Sequence, residues 1–233
     1  MTGTFLNIAT VLIGGALGLI FGARIPDKLK ATVISGLGLF TIAMGLQMFL
    51  NTENPLIVLS SLLIGTLLGE WWKIEDGLQN LGKFLEQRFS RAGDDGSNKF
   101  VRGFLAASLL FCVGPMTILG SIQDGLTGDY NLLAVKSVLD GFASLAFAST
   151  LGVGVLFSTI VILVYQGGIS LLAGQLNSIV TPSMMNELTA TGGVLLLGLA
   201  ISSLLEIKKI RVGNMLPGLA VAPLIVWGLS LIR

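Results

Sequence analysis

Residues 73–102, KIEDGLQNLGKFLEQRFSRAGDDGSNKFVR, are the only sizeable polar stretch in the chain, and they hold Lys73, Lys83, Arg88, Arg91, Lys99 and Arg102 out of 14 lysines and arginines. Apolar runs flank the stretch, the first ending in Trp71-Trp72. Two shorter cationic stretches, Arg24, Lys28 and Lys30 and then Lys208, Lys209 and Arg211, also separate apolar runs; only Lys136 and the terminal Arg233 lie elsewhere. If each apolar run crosses a membrane and the N-terminus is outside, all three cationic stretches fall on one side. Loops rich in Lys and Arg stay cytoplasmic. The pattern therefore predicts a multi-pass protein of the bacterial inner membrane with its N-terminus outside.

Composition points the same way. Hydrophobic residues make up 53% and charged residues 12%, against roughly 25% charged in a soluble domain, and mean hydropathy is +0.86. A soluble core could not hide so much apolar surface. The net charge of +1 gives no basis for a nucleic-acid partner; the expected partner is the lipid bilayer. With no histidine, imidazole metal ligands, a Ser-His-Asp triad and the HExxH zinc motif are all excluded, and no cofactor motif is present. Cys112 is the single cysteine, so an intrachain disulfide is excluded. Intramembrane aspartyl proteolysis needs two aspartates at depth, whereas Asp124 and Asp129 fall in an expected outer loop and Leu126 spoils a Gly-x-Gly-Asp pattern at Gly128-Asp129. The chain does not read as an enzyme.

A helix that crosses a bilayer needs ~20 mainly apolar residues. Eight runs qualify, at about 4–23, 31–50, 55–72, 103–120, 132–149, 153–175, 188–205 and 214–232. The first follows an uncharged N-terminus, unlike a signal peptide, and reads as a retained span. The fourth and fifth are short, one broken by Gly114-Pro115 and the other carrying Lys136 and Asp140, so the expectation is seven to eight spans. Residues 121–131, with Asp124 and Asp129, and 176–187, with Glu187, are expected as outer loops. Within 73–102, Ile74, Leu78, Leu81, Leu85 and Phe89 recur at spacings of three or four. This predicts an amphipathic helix in the cytoplasmic interface, followed by a hinge over 90–99.

Stretches 1–72 and 155–233 share an order of features. Gly14-Gly15 corresponds to Gly167-Gly168; Pro26 precedes Gly36 by ten residues as Pro182 precedes Gly192; Pro55 and Pro217 each introduce a last span. The first span would run inward and its counterpart outward, which predicts an inverted repeat of three-helix units, an arrangement recurrent in secondary transporters. The expected organisation is a first unit over 1–72, an interfacial helix and hinge over 73–102, a central broken-helix hairpin over 103–152, and a second, inverted unit over 153–233.

Candidate site residues concentrate in the centre. Pro115 lacks a backbone donor and disfavours helical geometry at Gly114; a break at membrane depth needs partners, which the hydroxyls of Thr117 and Ser121 can supply. Lys136 and Asp140 are one helical turn apart and share a face. A charge at that depth costs ~2.5–3.5 kcal/mol on insertion scales and marks a functional site by default. Ser144 lies on the same small-residue helix, and Gln166, beside Gly167-Gly168, is the deepest amide outside the central region. The substrate or ion site is thus assigned to Gly114, Pro115, Thr117, Ser121, Lys136, Asp140, Ser144 and Gln166, with Asp140 as the proton- or cation-linked carboxylate.

The run Cys112-Val113-Gly114-Pro115-Met116-Thr117-Ile118-Leu119-Gly120-Ser121-Ile122-Gln123-Asp124-Gly125, with Lys136-Ser137, Asp140-Gly141-Phe142-Ala143-Ser144 and Gly213-Asn214-Met215-Leu216-Pro217, resembles the bacterial YdfK/YqgA family, a domain of unknown function. The resemblance implies a multi-pass inner-membrane protein and carries over no catalytic residue. The expected function is transport of a small solute or ion. A passive channel, or a noncatalytic scaffold that docks partners through the 73–90 helix, are the alternatives. Small-residue helix faces allow a homodimer.

Overall fold

The computed structural model describes residues 1–22, 24, 26–89, 97–112, 114–177 and 180–231. These residues form α1 (Thr2–Gly22), α2 (Asp27–Phe49), α3 (Pro55–Trp72), α4 (Ile74–Phe89), α5 (Ser97–Cys112), α6 (Pro115–Thr127), α7 (Asn131–Leu151), α8 (Gly154–Leu171), α9 (Ala173–Asn177), α10 (Pro182–Leu199) and α11 (Pro217–Ser230), with a π-helical turn at Ala200–Leu204 and a 3-10 turn at Val212–Met215. Seven helices are long and apolar enough to cross a membrane, and the pair α5 and α6, bent by 63°, makes an eighth if it is one broken span. Much of the hinge expected over 90–99 lies outside the described residues.

Local sequence sets the helix starts. Pro55, Pro115, Pro182 and Pro217 each occupy the first residue of a helix, where a missing N–H costs nothing. Asn54 Oδ1 accepts the Leu56 N–H at 3.1 Å and Thr181 Oγ1 the Met184 N–H at 3.3 Å, the two side-chain caps this chemistry favours. Lys73, at φ 54°, ends α3 in the left-handed conformation and turns the chain into α4.

The chain forms two compact units, one from Met1–Gly36 with Gln79–Ser178 and the other from Leu37–Leu78 with Ile179–Arg233. The first contains α1 and α5 to α9, the second most of α2 with α3, α10 and α11.

In the first unit α1 and α7 run parallel in very close contact. A Cβ on Gly14, Gly18 or Gly22 would collide with the backbone of Gly141, Leu145 and Ser149 in turn. This is the small-residue packing by which membrane helices approach without a hydrophobic driving force. α8 runs antiparallel to α1: Asn7 meets Gln166 while Gly15 faces Leu156. The bent pair runs beside α8 from Phe100 against Gly154 at one end to Gly125 against Ser170 at the other. Its far end reaches the start of α1, where Asp124 pairs with the N-terminal amine at 3.1 Å and accepts the Gly3 N–H at 3.0 Å. The pair thus runs along α8 from one end of that helix to the other. Asp124, expected in an outer loop, is a buried residue of α6; its charge is sheltered there because backbone and terminal donors surround it.

In the second unit α2 and α10 are antiparallel and nearly touch at Gly45 and Gly193, each of which would drive a Cβ toward the other's carbonyl oxygen. α3 and α11 are antiparallel through Gly65 with Gly218 and Gly69 with Asn214. At one end, Glu187 accepts from Thr52 Oγ1 at 2.7 Å, Glu53 N at 2.8 Å and Asn54 N at 2.9 Å. Glu187 was also expected in an outer loop; it is instead 1% exposed within α10, where it holds the 51–54 turn. Glu187→Ala removes the charged acceptor shared by the Thr52 hydroxyl and the Glu53 and Asn54 N–H groups and should cost about 1.5–3 kcal/mol, read as a lower melting temperature of the purified protein in detergent. At the opposite end Arg211 pairs with Glu70 at 2.9 Å and Asp76 at 2.8 Å, and buried Glu75 accepts the Gly213 N–H at 2.7 Å.

The amphipathic helix expected in 73–102 is α4. Its Leu85 packs with Phe100 and Phe104, whereas Leu81 and Phe84 remain exposed.

Candidate functional site

Three helices of the first unit bring polar side chains into its interior. From α7 come Lys136 and Asp140, one turn apart; they form an ion pair between Nζ and Oδ2 and are only 6% and 8% exposed. From α1 comes Asn7, whose Nδ2 donates both to Asp140 Oδ2 at 3.0 Å and to Gln166 Oε1 at 3.0 Å. From α8 comes Gln166, whose Nε2 donates to Thr4 Oγ1 at 3.4 Å. Thr4, Asn7 and Gln166 are each 0% exposed. The result is a continuous polar chain, Lys136 to Asp140 to Asn7 to Gln166 to Thr4, linking helices distant in sequence.

Asp140 holds the Lys136 ammonium inside the unit. The bent pair packs against α7 on either side of the ion pair, with Gly120 against Leu133 and Gly103 against Leu151, so the helix break falls between these two contacts. At the break Thr117 Oγ1 donates to the Phe111 carbonyl at 3.1 Å, and Ser121 Oγ donates to the Thr117 carbonyl at 2.5 Å. The hydroxyls therefore satisfy acceptors of the broken helix, as irregular backbone at membrane depth requires. Gly114 is half-buried at the break and a Cβ there would meet nothing within 4 Å; Pro115 opens α6. Ser144 Oγ donates to the Val11 carbonyl at 2.8 Å, a contact of the α1–α7 seam.

Of the residues singled out from sequence, Lys136, Asp140 and Gln166 come together in one cluster. Thr117, Ser121 and Ser144 spend their hydroxyls on backbone carbonyls. The residues sequence reasoning missed are Asn7 and Thr4. Their signal was present: Thr4, Asn7, Val11, Gly14 and Gly18 repeat at three and four along α1, so two polar side chains share the face that carries its glycines.

Chemically the cluster offers a carboxylate, an ammonium, two amides and a hydroxyl in a site built on rigid helices. All of its acceptors are oxygens. Asn7 Oδ1, fully buried, has no hydrogen-bond partner among the described residues. A buried polar atom left open in this way costs stability and marks either strain or a place for something absent.

No solved structure matches the chain. Among curated proteins it is 32% identical over 231 residues to "Uncharacterized membrane protein YdfK" of Bacillus subtilis (strain 168), covering 97% of this chain and 96% of that one. It is 33% identical over 222 residues to "Uncharacterized protein YqgA" of Escherichia coli (strain K12), covering 94% of each. A family model described as "Protein of unknown function (DUF554)" matches residues 2–227, and with seven apolar spanning helices and this whole-length similarity the chain belongs to that family of membrane proteins.

Proposed function

We propose that the protein carries a small solute or ion across the bacterial cytoplasmic membrane, with the Lys136, Asp140, Asn7 and Gln166 cluster as its binding site. The observation that carries this reading is the buried ion pair, hydrogen-bonded by Asn7 of a second helix, which Gln166 of a third helix holds in turn. Ionisable groups inside a membrane bundle are expensive to place and are kept where ions or substrates pass. A purely structural pair would have no use for an adjoining open acceptor or an interrupted helix.

The architecture agrees with that reading. α1, α2 and α3 each pack antiparallel to α8, α10 and α11, their counterparts in the proposed repeat. An inverted repeat relates its members in this way, and it provides two pseudo-symmetric arrangements that open one site to alternate sides. Counting the bent pair as a span gives eight. The cationic stretches then lie inside and both termini outside, consistent with the parallel run of α1 and α7. The protein acts without catalysis or a cofactor in this reading, and its partners are lipid and the carried solute.

The test is a current measurement on proteoliposomes adsorbed to a solid-supported membrane, with ions, organic acids, amino acids and sugars offered in pools. A saturable current in the wild type that is lost in Asp140→Asn is expected. Currents equal in the two proteins would remove Asp140 from the mechanism, and a current that rises linearly with concentration would point to a passive channel.

A further inference from the structure

We infer that the ligand of this site is a monovalent cation, an alkali ion or a small ammonium, that takes Asp140 in place of the Lys136 ammonium. The inference rests on the transporter reading of the cluster and narrows its substrate class. It begins from what the cluster lacks. Asn7 uses its amide nitrogen twice, on Asp140 and on Gln166, and turning the amide would set its oxygen against those same two acceptors. The nitrogen is therefore fixed, and Oδ1 is left as a fully buried acceptor with no donor among the described residues. What is missing is a donor or a positive charge. An anion placed there would face a carboxylate and an open carbonyl oxygen.

Charge then sets the exchange. With Lys136 paired to Asp140 the cluster is neutral. A further cation would leave a net positive charge in a low-dielectric interior, which costs several kcal/mol for an unpaired ion. The cluster stays neutral only if the ammonium withdraws as the cation arrives, and the flexible four-carbon stem of lysine permits that. Asp140, released by the ammonium, and Asn7 Oδ1, which has no donor among the described residues, are then the oxygens open to the cation, the hard ligands that alkali ions and ammonium groups take. Thr4, Asn7 and Gln166 are 0% exposed, so the cluster as it stands is closed to a larger organic molecule. Lys136 is in this view an internal competitor for the site.

The test measures melting temperature of the full-length protein in detergent against LiCl, NaCl, KCl and methylammonium chloride, with choline chloride holding ionic strength constant. One of the four should stabilise the wild type saturably. In Lys136→Met the same salt should reach half-effect at a concentration at least ~10-fold lower, a difference of about 1.4 kcal/mol. The double variant Lys136→Met/Asp140→Asn, which leaves no buried charge, should remain folded and lose the response. No response to any of the four in both wild type and Lys136→Met overturns the inference, as does weaker binding in Lys136→Met, which would mean that Lys136 does not compete for the site. Failure of the transporter reading looks different: the cation binds as described, but proteoliposomes show no flux of it.

Discussion

Gly18→Ala separates α1 from α7 and lowers stability by ~3 kcal/mol, the upper end of what overpacking costs. A Cβ on Gly18 would lie 3.0 Å from both Cα and the carbonyl carbon of Leu145 and closer still to its oxygen. These are backbone atoms of a neighbouring helix, so no rotamer change relieves the contact. Gly14 and Gly22 make the same approach one turn away on either side, which means the two axes must move apart along the whole seam. Ser144, whose hydroxyl meets the Val11 carbonyl at 2.8 Å, and Asn7, which meets Asp140 at 3.0 Å, lose their partners with it. The comparison is Gly168→Ala, where a Cβ meets nothing within 4 Å. There the added methyl should be neutral or stabilise by about 0.5–1 kcal/mol, the usual preference of a helix interior for alanine. Melting temperature and monodispersity of the two variants in detergent check the contrast; equal behaviour would mean that α1 and α7 do not pack backbone to backbone at Gly18.

The spans and the helix break were legible in the sequence because their causes are local. Apolar runs between cationic stretches mark spans, and Gly114-Pro115 must interrupt a helix wherever it lies. Lys136 and Asp140 were legible as a pair for the same reason, since four residues on one helix are neighbours by geometry alone. Asn7 was legible as a polar residue on the glycine face of α1 but not as part of a site: its partners Asp140 and Gln166 lie 133 and 159 residues away, and a single asparagine in an apolar run gives no hint of which helix will meet it. Asp124 and Glu187 were misplaced for a related reason. A lone carboxylate beside an apolar run reads as loop, yet three donors on a distant turn keep Glu187 buried, and the start of α1 does the same for Asp124. Grouping of helices into units was equally hidden, because each unit is assembled from both ends of the chain.

Lys136→Met and Asp140→Asn made singly should each destabilise the protein by about 3–5 kcal/mol, while the double variant should recover most of that loss. Removing one member of a buried pair leaves the other charged in a medium that cannot solvate it. In Asp140→Asn the Lys136 ammonium faces the amide of Asn7 with no counter-charge. In Lys136→Met the Asp140 carboxylate keeps only the Asn7 hydrogen bond at 3.0 Å. The double variant replaces both charges by neutral groups of similar shape, and such replacements of buried pairs are often neutral or stabilising. The four proteins form a cycle whose coupling term should be large and favourable, measured by thermal or chemical unfolding in one detergent. A pair retained for stability alone would show a double variant well below the wild type. Recovery of stability together with loss of solute-dependent current would instead place the pair where the proposed function puts it: charges held at membrane depth for the ligand they meet, on a scaffold that could have done without them.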